Sequence, residues 1–218
     1  MTLEDKVLSV LEHKNIILVG NSIEIINYEK GEFIDSHDVV IRMGKGLPRP
    51  AHDKAIGKKI DIWAAGFLRA DQIGTRERLA NVPKLLNRTR INLNSARDVN
   101  KALDAEMHTM FSDEELLKIY DEFGYVNNAV LGRPSNGFIT LLWLIKKAWV
   151  WDSLTLIGFD FFAKSAPFKV GEAYPNSWHL PRNSVNEIPH NVPADPVATV
   201  SVPPGQVHVL AVQDLLFK

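Results

Sequence analysis

Residues 16–43 constrain the fold more than any other stretch. Four apolar residues, Ile16-Ile17-Leu18-Val19, stop abruptly at Gly20-Asn21-Ser22. An unbroken apolar run ending in a turn is the pattern of a strand buried on both faces, as strands are in parallel sheets covered by helices. A second run, Asp38 to Met43 (DVVIRM), reads as the neighbouring strand and carries Arg42 to its carboxyl end. In open α/β sheets ligands lie outside the carboxyl ends of the strands, which places Asn21 and Ser22 where a ligand would be held. Gly-Asn-Ser is equally an ordinary turn sequence. Neither the dinucleotide fingerprint G-x-G-x-x-G nor the phosphate loop G-x-x-x-x-G-K-[ST] accompanies it.

The rest of the chain extends this pattern. Residues 3–13 predict a helix leading into the first strand, and Ile23–Tyr28 a helix that Gly31 would end. Residues 44–58, rich in Gly, Pro and charge, predict a loop. Residues 60–65 predict a third strand, 69–79 a helix, 90–93 a short strand, and 97–123 two helical pieces. Ser112-Asp113-Glu114-Glu115 is a capping box opening the second piece, and Gly124 closes it. Pro134-Ser135 before the apolar run 138–148 marks the start of a buried helix. Its first turn would offer free N–H groups and the positive end of the helix dipole, which suits an anion. Residues 153–159 predict another core strand. Beyond Asp160 periodicity fades, and residues 163–206 carry eight prolines, as expected of loops over a rigid sheet.

Length and composition set the limits. The 218 residues suit one domain, 1–218, able to bury a sizeable core. The absence of cysteine excludes disulfide scaffolding, thiolate catalysis and cysteine zinc sites. Residues 1–15 are charged, unlike a signal peptide, and the longest apolar run, near 138–145, is too short to span a bilayer. The expected setting is therefore cytoplasmic, with no membrane partner. The overall charge of −1 conceals a basic block: residues 42–101 carry +9 between acidic flanks. Such a block is either a solvated face or a surface for a polyanion, nucleic acid included.

Two motifs in order resemble the sialyltransferase family. Gly20-Asn21-Ser22, Ile34-Asp35, His37–Val40, Arg42-Met43 and Gly57-Lys58-Lys59 resemble its large motif, which in the family lines the pocket for the nucleotide-activated sugar. Family members carry Asn after Arg-Met, where this chain has Gly44. Ser135-Asn136-Gly137, a long helix, and a strand ending Gly158-Phe159-Asp160 resemble the small motif, which touches cytidine and ribose; Asp160 replaces a glycine. Trp178-His179 resembles the third motif, whose histidine contacts the donor phosphate. His190 with Asp195 resembles the last, His-x4-Glu, whose histidine is the general base.

The resemblance implies a single-domain, Rossmann-like, doubly wound and mostly parallel sheet with helices on both faces, a sialyltransferase-like GT-A variant. It also implies a short bacterial or viral relative of the membrane-anchored animal enzymes. The implied activity is that of an inverting glycosyltransferase. His190 would take the acceptor proton, Asp195 would orient the ring, and His179 would stabilise the leaving phosphate. Gly20, Asn21, Ser22, Arg42, Ser135, Asn136, Gly137 and Asp160 would bind the nucleotide-sugar. No Asp-x-Asp occurs, so no metal and no cofactor is expected beyond the nucleotide-sugar co-substrate. The acceptor is left open between a saccharide or other small hydroxylated molecule and a hydroxylated base in DNA, the last motivated by the basic block. A third reading is a nucleotide-binding module with a decayed transferase site, motivated by Gly44 and Asp160.

Overall fold

A computed structural model describes residues 2–21, 25–26, 28–44, 46–65, 79, 81–86, 108–122, 136–159 and, as backbone, 197–200. The elements run α1 (Leu3–Leu11), β1 (Asn15–Val19), α2 (Gly31–Asp35), β2 (Val39–Met43), a 3₁₀ turn (Pro50–His52), α3 (Asp53–Ile56), β3 (Ile62–Ala65), β4 (Lys84–Leu86), β5 (His108–Thr109), α4 (Asp113–Glu122), α5 (Asn136–Lys146), β6 (Ser153–Ile157) and β7 (Val197–Val200). The strands form one sheet in the order β5-β4-β3-β2-β1-β6-β7. Every neighbouring pair is parallel except β6 with β7, an antiparallel edge. The chain builds outward from β1 through β2 to β5, then returns to place β6 on the other side of β1. This is the doubly wound arrangement that the resemblance implied, and β1 is the buried parallel strand expected from the apolar run at 16–19.

Alternation along the strands sorts the core onto two faces. On one face Ile16, Leu18, Val39, Ile41, Leu154 and Leu156 pack against α1, α4 and α5 through residues such as Leu11, Leu116, Ile139 and Trp143. On the other, Ile17, Val19, Val40 and Ile157 pack against Ile25, Ile34 of α2 and Ile56 of α3. Helices therefore cover both faces. The amino ends of the strands are held by side chains that satisfy backbone N–H groups. Asp38 accepts from Asn15 N (2.9 Å) and Asn15 Nδ2 (3.2 Å), Ser153 Oγ donates to Asn15 Oδ1 (2.7 Å), and Asp61 accepts from Val40 N (2.7 Å).

The structure departs from the sequence reading in five places. Gly31 opens a helix instead of closing one. A Cβ there would lie 2.2 Å from Asp53 O and 2.7 Å from Lys54 O, so the glycine is set by the packing of α2 on α3. The segment 44–58 holds a 3₁₀ turn and α3 within the predicted loop. The region read as helical from residue 97 contains strand β5 at 108–109, and β7 forms in the proline-rich region read as loops. Strand β4 was not foreseen. The predicted helix over 69–78, the strand at 90–93 and the helical piece at 97–107 lie outside the described residues. Among the described residues no helix is long and apolar enough to cross a membrane.

Candidate functional site

The topology puts a switch point between β1 and β6, since the chain leaves β1 toward β2 on one side and comes back on the other. At such a point the loops diverge and open a crevice at the carboxyl edge. Gly20 N donates to Ile157 O (2.7 Å), continuing the β1–β6 ladder one residue past β1. A Cβ on Gly20 would lie 2.1 Å from Gly158 O, so only glycine permits the two strand ends to come this close. Asn21 follows at the lip. Its Nδ2 donates to Met43 O (3.2 Å) at the end of β2, which orients the amide and leaves Oδ1 buried without a partner among the described residues.

The first turn of α5 packs beside the ends of β2 and β6. Asn136 begins the helix, and its carbonyl accepts from Thr140 Oγ1 (2.8 Å). Gly137 backs directly onto the Phe159 ring and faces Met43 Cε. The structure thus brings Gly20, Asn21, Asn136 and Gly137 to one carboxyl edge, together with Gly158 and Phe159. Ser22, Ser135, Asp160, His179, His190 and Asp195 lie outside the described residues.

Arg42 lines a pocket together with Gly20 and Asn21. Its side chain is 0% exposed and points to the face covered by α2 and α3. Nε donates to Lys59 O (2.7 Å) and Nη2 to Ile56 O (2.6 Å), while Nη1 has no partner among the described residues. Asp35 Oδ1 lies 4.0 Å from Nη2. Burial lowers the guanidinium pKa to about 10, with the Asp35 and Asp61 charges opposing, so Arg42 remains a cation at neutral pH.

Several other residues of the large motif are scaffold. Asp35 accepts from Lys58 N (2.8 Å) and Lys59 N (3.0 Å), holding the turn after α3. His37 reaches Thr155 Oγ1 (3.2 Å) and Phe33 O (2.9 Å), tying the start of β2 to β6. Lys59 Nζ donates to His37 O and Asp38 O (2.6 and 2.8 Å). Of the basic block, Arg42, Lys59 and Lys84, whose Nζ donates to Val82 O (3.1 Å), thus bind backbone carbonyls.

Gly44 stands where the resemblance to the large motif expects Asn. Its φ is +49°, in the left-handed region that Gly and, among other residues, Asn tolerate best. A Cβ there would meet only Asn21 Nδ2, at 4.0 Å. The backbone is pinned by Gly44 N to Ala64 O (2.8 Å) and by Trp63 Nε1 to Gly44 O (2.9 Å). The position therefore has room for a side chain that tolerates the left-handed region.

The family model of glycosyltransferase family 29, the sialyltransferases, matches residues 3–70. Over these residues the chain is similar to the sialyltransferase family. The matched segment runs from α1 to just beyond β3 and contains the whole large-motif region. Among solved structures, a mammalian sialyltransferase in complex with Gal-beta-1-3GalNAc-ortho-nitrophenol is similar at 17% identity and TM-score 0.45 over 72% of this chain and 65% of that one. A second mammalian sialyltransferase structure is similar at 18% identity and TM-score 0.47 over 72% of this chain and 64% of that one. The chain thus spans just under two thirds of the length of these sialyltransferases. Among curated proteins no match is found.

The sequence reading did not single out Arg49 or His52, which line a pocket beside Arg42. Both lie in the segment read as a loop, and no periodicity or motif marked them.

Proposed function

We propose that the protein is an inverting glycosyltransferase that moves a sugar from a nucleotide-sugar to a hydroxyl acceptor without a metal ion. The observation that carries this reading is the coincidence of two independent features. The segment matched by the sialyltransferase family ends its first strand at Gly20-Asn21, and the topology makes that strand end the lip of the switch-point crevice. The nucleotide lies across this lip, with Asn21 and Ser22 on one side and the Ser135-Asn136-Gly137 turn on the other. There the N–H groups and dipole at the start of α5 favour an anionic ligand. Asp160 meets the ribose in this reading.

His190 is the general base in this reading, Asp195 orients it, and His179 stabilises the charge building on the leaving phosphate. An unperturbed histidine, with a pKa of about 6.5, suits base catalysis near neutrality. The missing Asp-x-Asp supports a metal-free mechanism in which protein donors carry the phosphate charge. A saccharide acceptor in a cytoplasmic setting is the favoured context. A DNA acceptor gains no support, since three cations of the basic block are tied to backbone carbonyls.

The deciding experiment is hydrolysis of a panel of nucleotide-sugars by purified protein, reading which nucleotide is released, with and without EDTA. Release of a single nucleotide, unaffected by EDTA, supports the reading. Loss of release with EDTA, restored by a divalent ion, refutes the metal-free mechanism, and no release from any donor favours a decayed site. Asn21→Ala should weaken binding of the released nucleotide by about 1–3 kcal/mol, the worth of a buried hydrogen bond left unmade. Unchanged affinity by calorimetry removes Asn21 from the site.

A further inference from the structure

Two glycines beside proposed ligand residues share one neighbour. Gly20 follows β1 and precedes Asn21, and Gly137 follows Asn136 in the first turn of α5. A Cβ on Gly20 would lie 3.1 Å from Phe159 Cδ2, besides its clash with Gly158 O. A Cβ on Gly137 would lie 2.7 Å from Phe159 Cε1 and 3.5 Å from Cζ. Cδ2 and Cε1 are opposite corners of a phenyl ring. The Phe159 ring is therefore lodged between the backbone that leaves β1 and the backbone that opens α5. Gly158 sets it there: its φ of +73° turns the chain after β6, and its own Cβ would meet Ile25 Cδ1 at 3.0 Å and Gly20 O at 3.2 Å. Phe159 is half-buried and packs against the core on the α5 face.

β1 and α5 lie far apart in sequence, so no local chain geometry fixes the distance from Gly20-Asn21 to the Asn136-Gly137 turn. A rigid ring in contact with both does, because a close-packed interior passes a change in one side chain on to its neighbours. A ligand gripped from two elements is held only as well as their spacing, and a misplacement of about 1 Å can cost about 10²-fold in rate. Glycine on both sides is what lets the ring reach the two backbones. A side chain at either would push it away.

We propose that Phe159 is a positioning residue of the nucleotide-sugar site, its ring setting the separation between the β1 end that bears Asn21 and the first turn of α5. The ring acts through those two backbones and takes no part in the chemistry. This role rests on the transferase reading above and adds to it the residue that fixes the width of the site. Leucine at this position isolates the effect. Its Cδ atoms keep the reach toward Gly20, but it has no counterpart of the Cε1 and Cζ that meet Gly137.

The test compares full-length wild type, Phe159→Leu, Gly137→Ala and the double variant in hydrolysis of the donor found by the nucleotide-sugar panel, with a melting temperature for each. Phe159→Leu should raise KM for the donor about tenfold and leave kcat within about twofold, the mark of weakened binding. Gly137→Ala should do the same, because its Cβ drives the ring away. In the double variant the new Cβ takes the space that Cε1 vacates, and KM should return to within about threefold of wild type. A merely structural role predicts something else: fewer folded molecules, hence a lower apparent kcat at unchanged KM. Phe159→Met, which keeps apolar volume without a fixed shape, is the second variant should leucine prevent folding, and it should raise KM in the same direction. Unchanged KM in a folded Phe159 variant overturns the proposal, as does additive damage in the double variant. Donor turnover by wild type with either of those results removes the spacer alone, whereas no release from any donor by wild type sinks the transferase reading and this role together.

Discussion

Arg42 illustrates how one side chain can serve the fold where the sequence places it at a ligand edge. Its bonds to Ile56 O and Lys59 O hold the segment after α3 against β2. Arg42→Met keeps the length but leaves those acceptors unpaired, and should cost about 1–3 kcal/mol in urea unfolding. His108, on the short strand β5, is a largely but not fully buried titratable group. It lies 5.7 Å from the Trp143 ring, and its Nε2 has no hydrogen-bond partner among the described residues. Burial lowers its pKa, the Glu4 charge opposing and Lys147 adding to the effect. A histidine with a folded pKa below its unfolded value binds fewer protons when folded, so stability rises with pH across that window. The stability it allows is present above the unfolded value and is lost as pH falls below about 6.5, levelling off under the folded pKa. His108→Gln should therefore flatten the dependence of melting temperature on pH between about pH 7 and pH 5. An unchanged slope would assign that dependence to other groups.

At the scale of elements, the contact between β1 and β6 decides whether the crevice exists. Gly20→Ala forces a Cβ to within 2.1 Å of Gly158 O, so the strand ends must separate. The expected cost is about 1–3 kcal/mol, as for other overpacked sites, accompanied by weaker nucleotide binding. Normal stability and binding in this variant would mean that the strand ends yield without consequence. The helix α4 offers a control remote from the crevice. Its capping box is present as read: Ser112 N donates to Glu115 Oε2 (2.7 Å) and Glu115 N to Ser112 Oγ (3.2 Å). Ser112→Ala should lower stability by about 0.5–2 kcal/mol and leave nucleotide binding untouched, which titration calorimetry would check.

For the whole molecule, the proposed transferase divides its work between the sheet edge and the proline-rich region after β6. The proposed ligand-holding residues Asn21 and Gly137 sit at element ends, whereas His179, His190 and Asp195 belong to the later segment of the sequence. If His190 is the base, His190→Ala should lower turnover by about 10²–10⁴-fold and leave nucleotide affinity nearly intact. His179→Ala should reduce both, because its role is toward the phosphate. Near-normal turnover in His190→Ala, with loss in another histidine variant, would reassign the base.

The strands that carry the site were legible because they are fully buried: the runs at 16–19, 39–43 and 154–157 are apolar, or nearly so, in sequence and in the fold. The capping box of α4 was legible because it is a local pattern of side chains reaching their own backbone. Strands β4 and β5, of three and two residues, were not, since periodicity needs more length than that. The closing edge β7 pairs with β6 across some forty residues of sequence, a partnership no local pattern encodes. Gly31 showed the same limit: its type announced a special backbone position, but only the packing of α3 on α2 decided that it starts a helix. The sequence alone determined that Asn21 and Arg42 lie near one edge of a parallel sheet. The fold then brought both to the wall of one pocket, Asn21 at the strand end and Arg42 wholly buried, its side chain bound to the Lys59 and Ile56 carbonyls. Successive residues on a strand point to opposite sides, and which side becomes which is set by the helices that cover them.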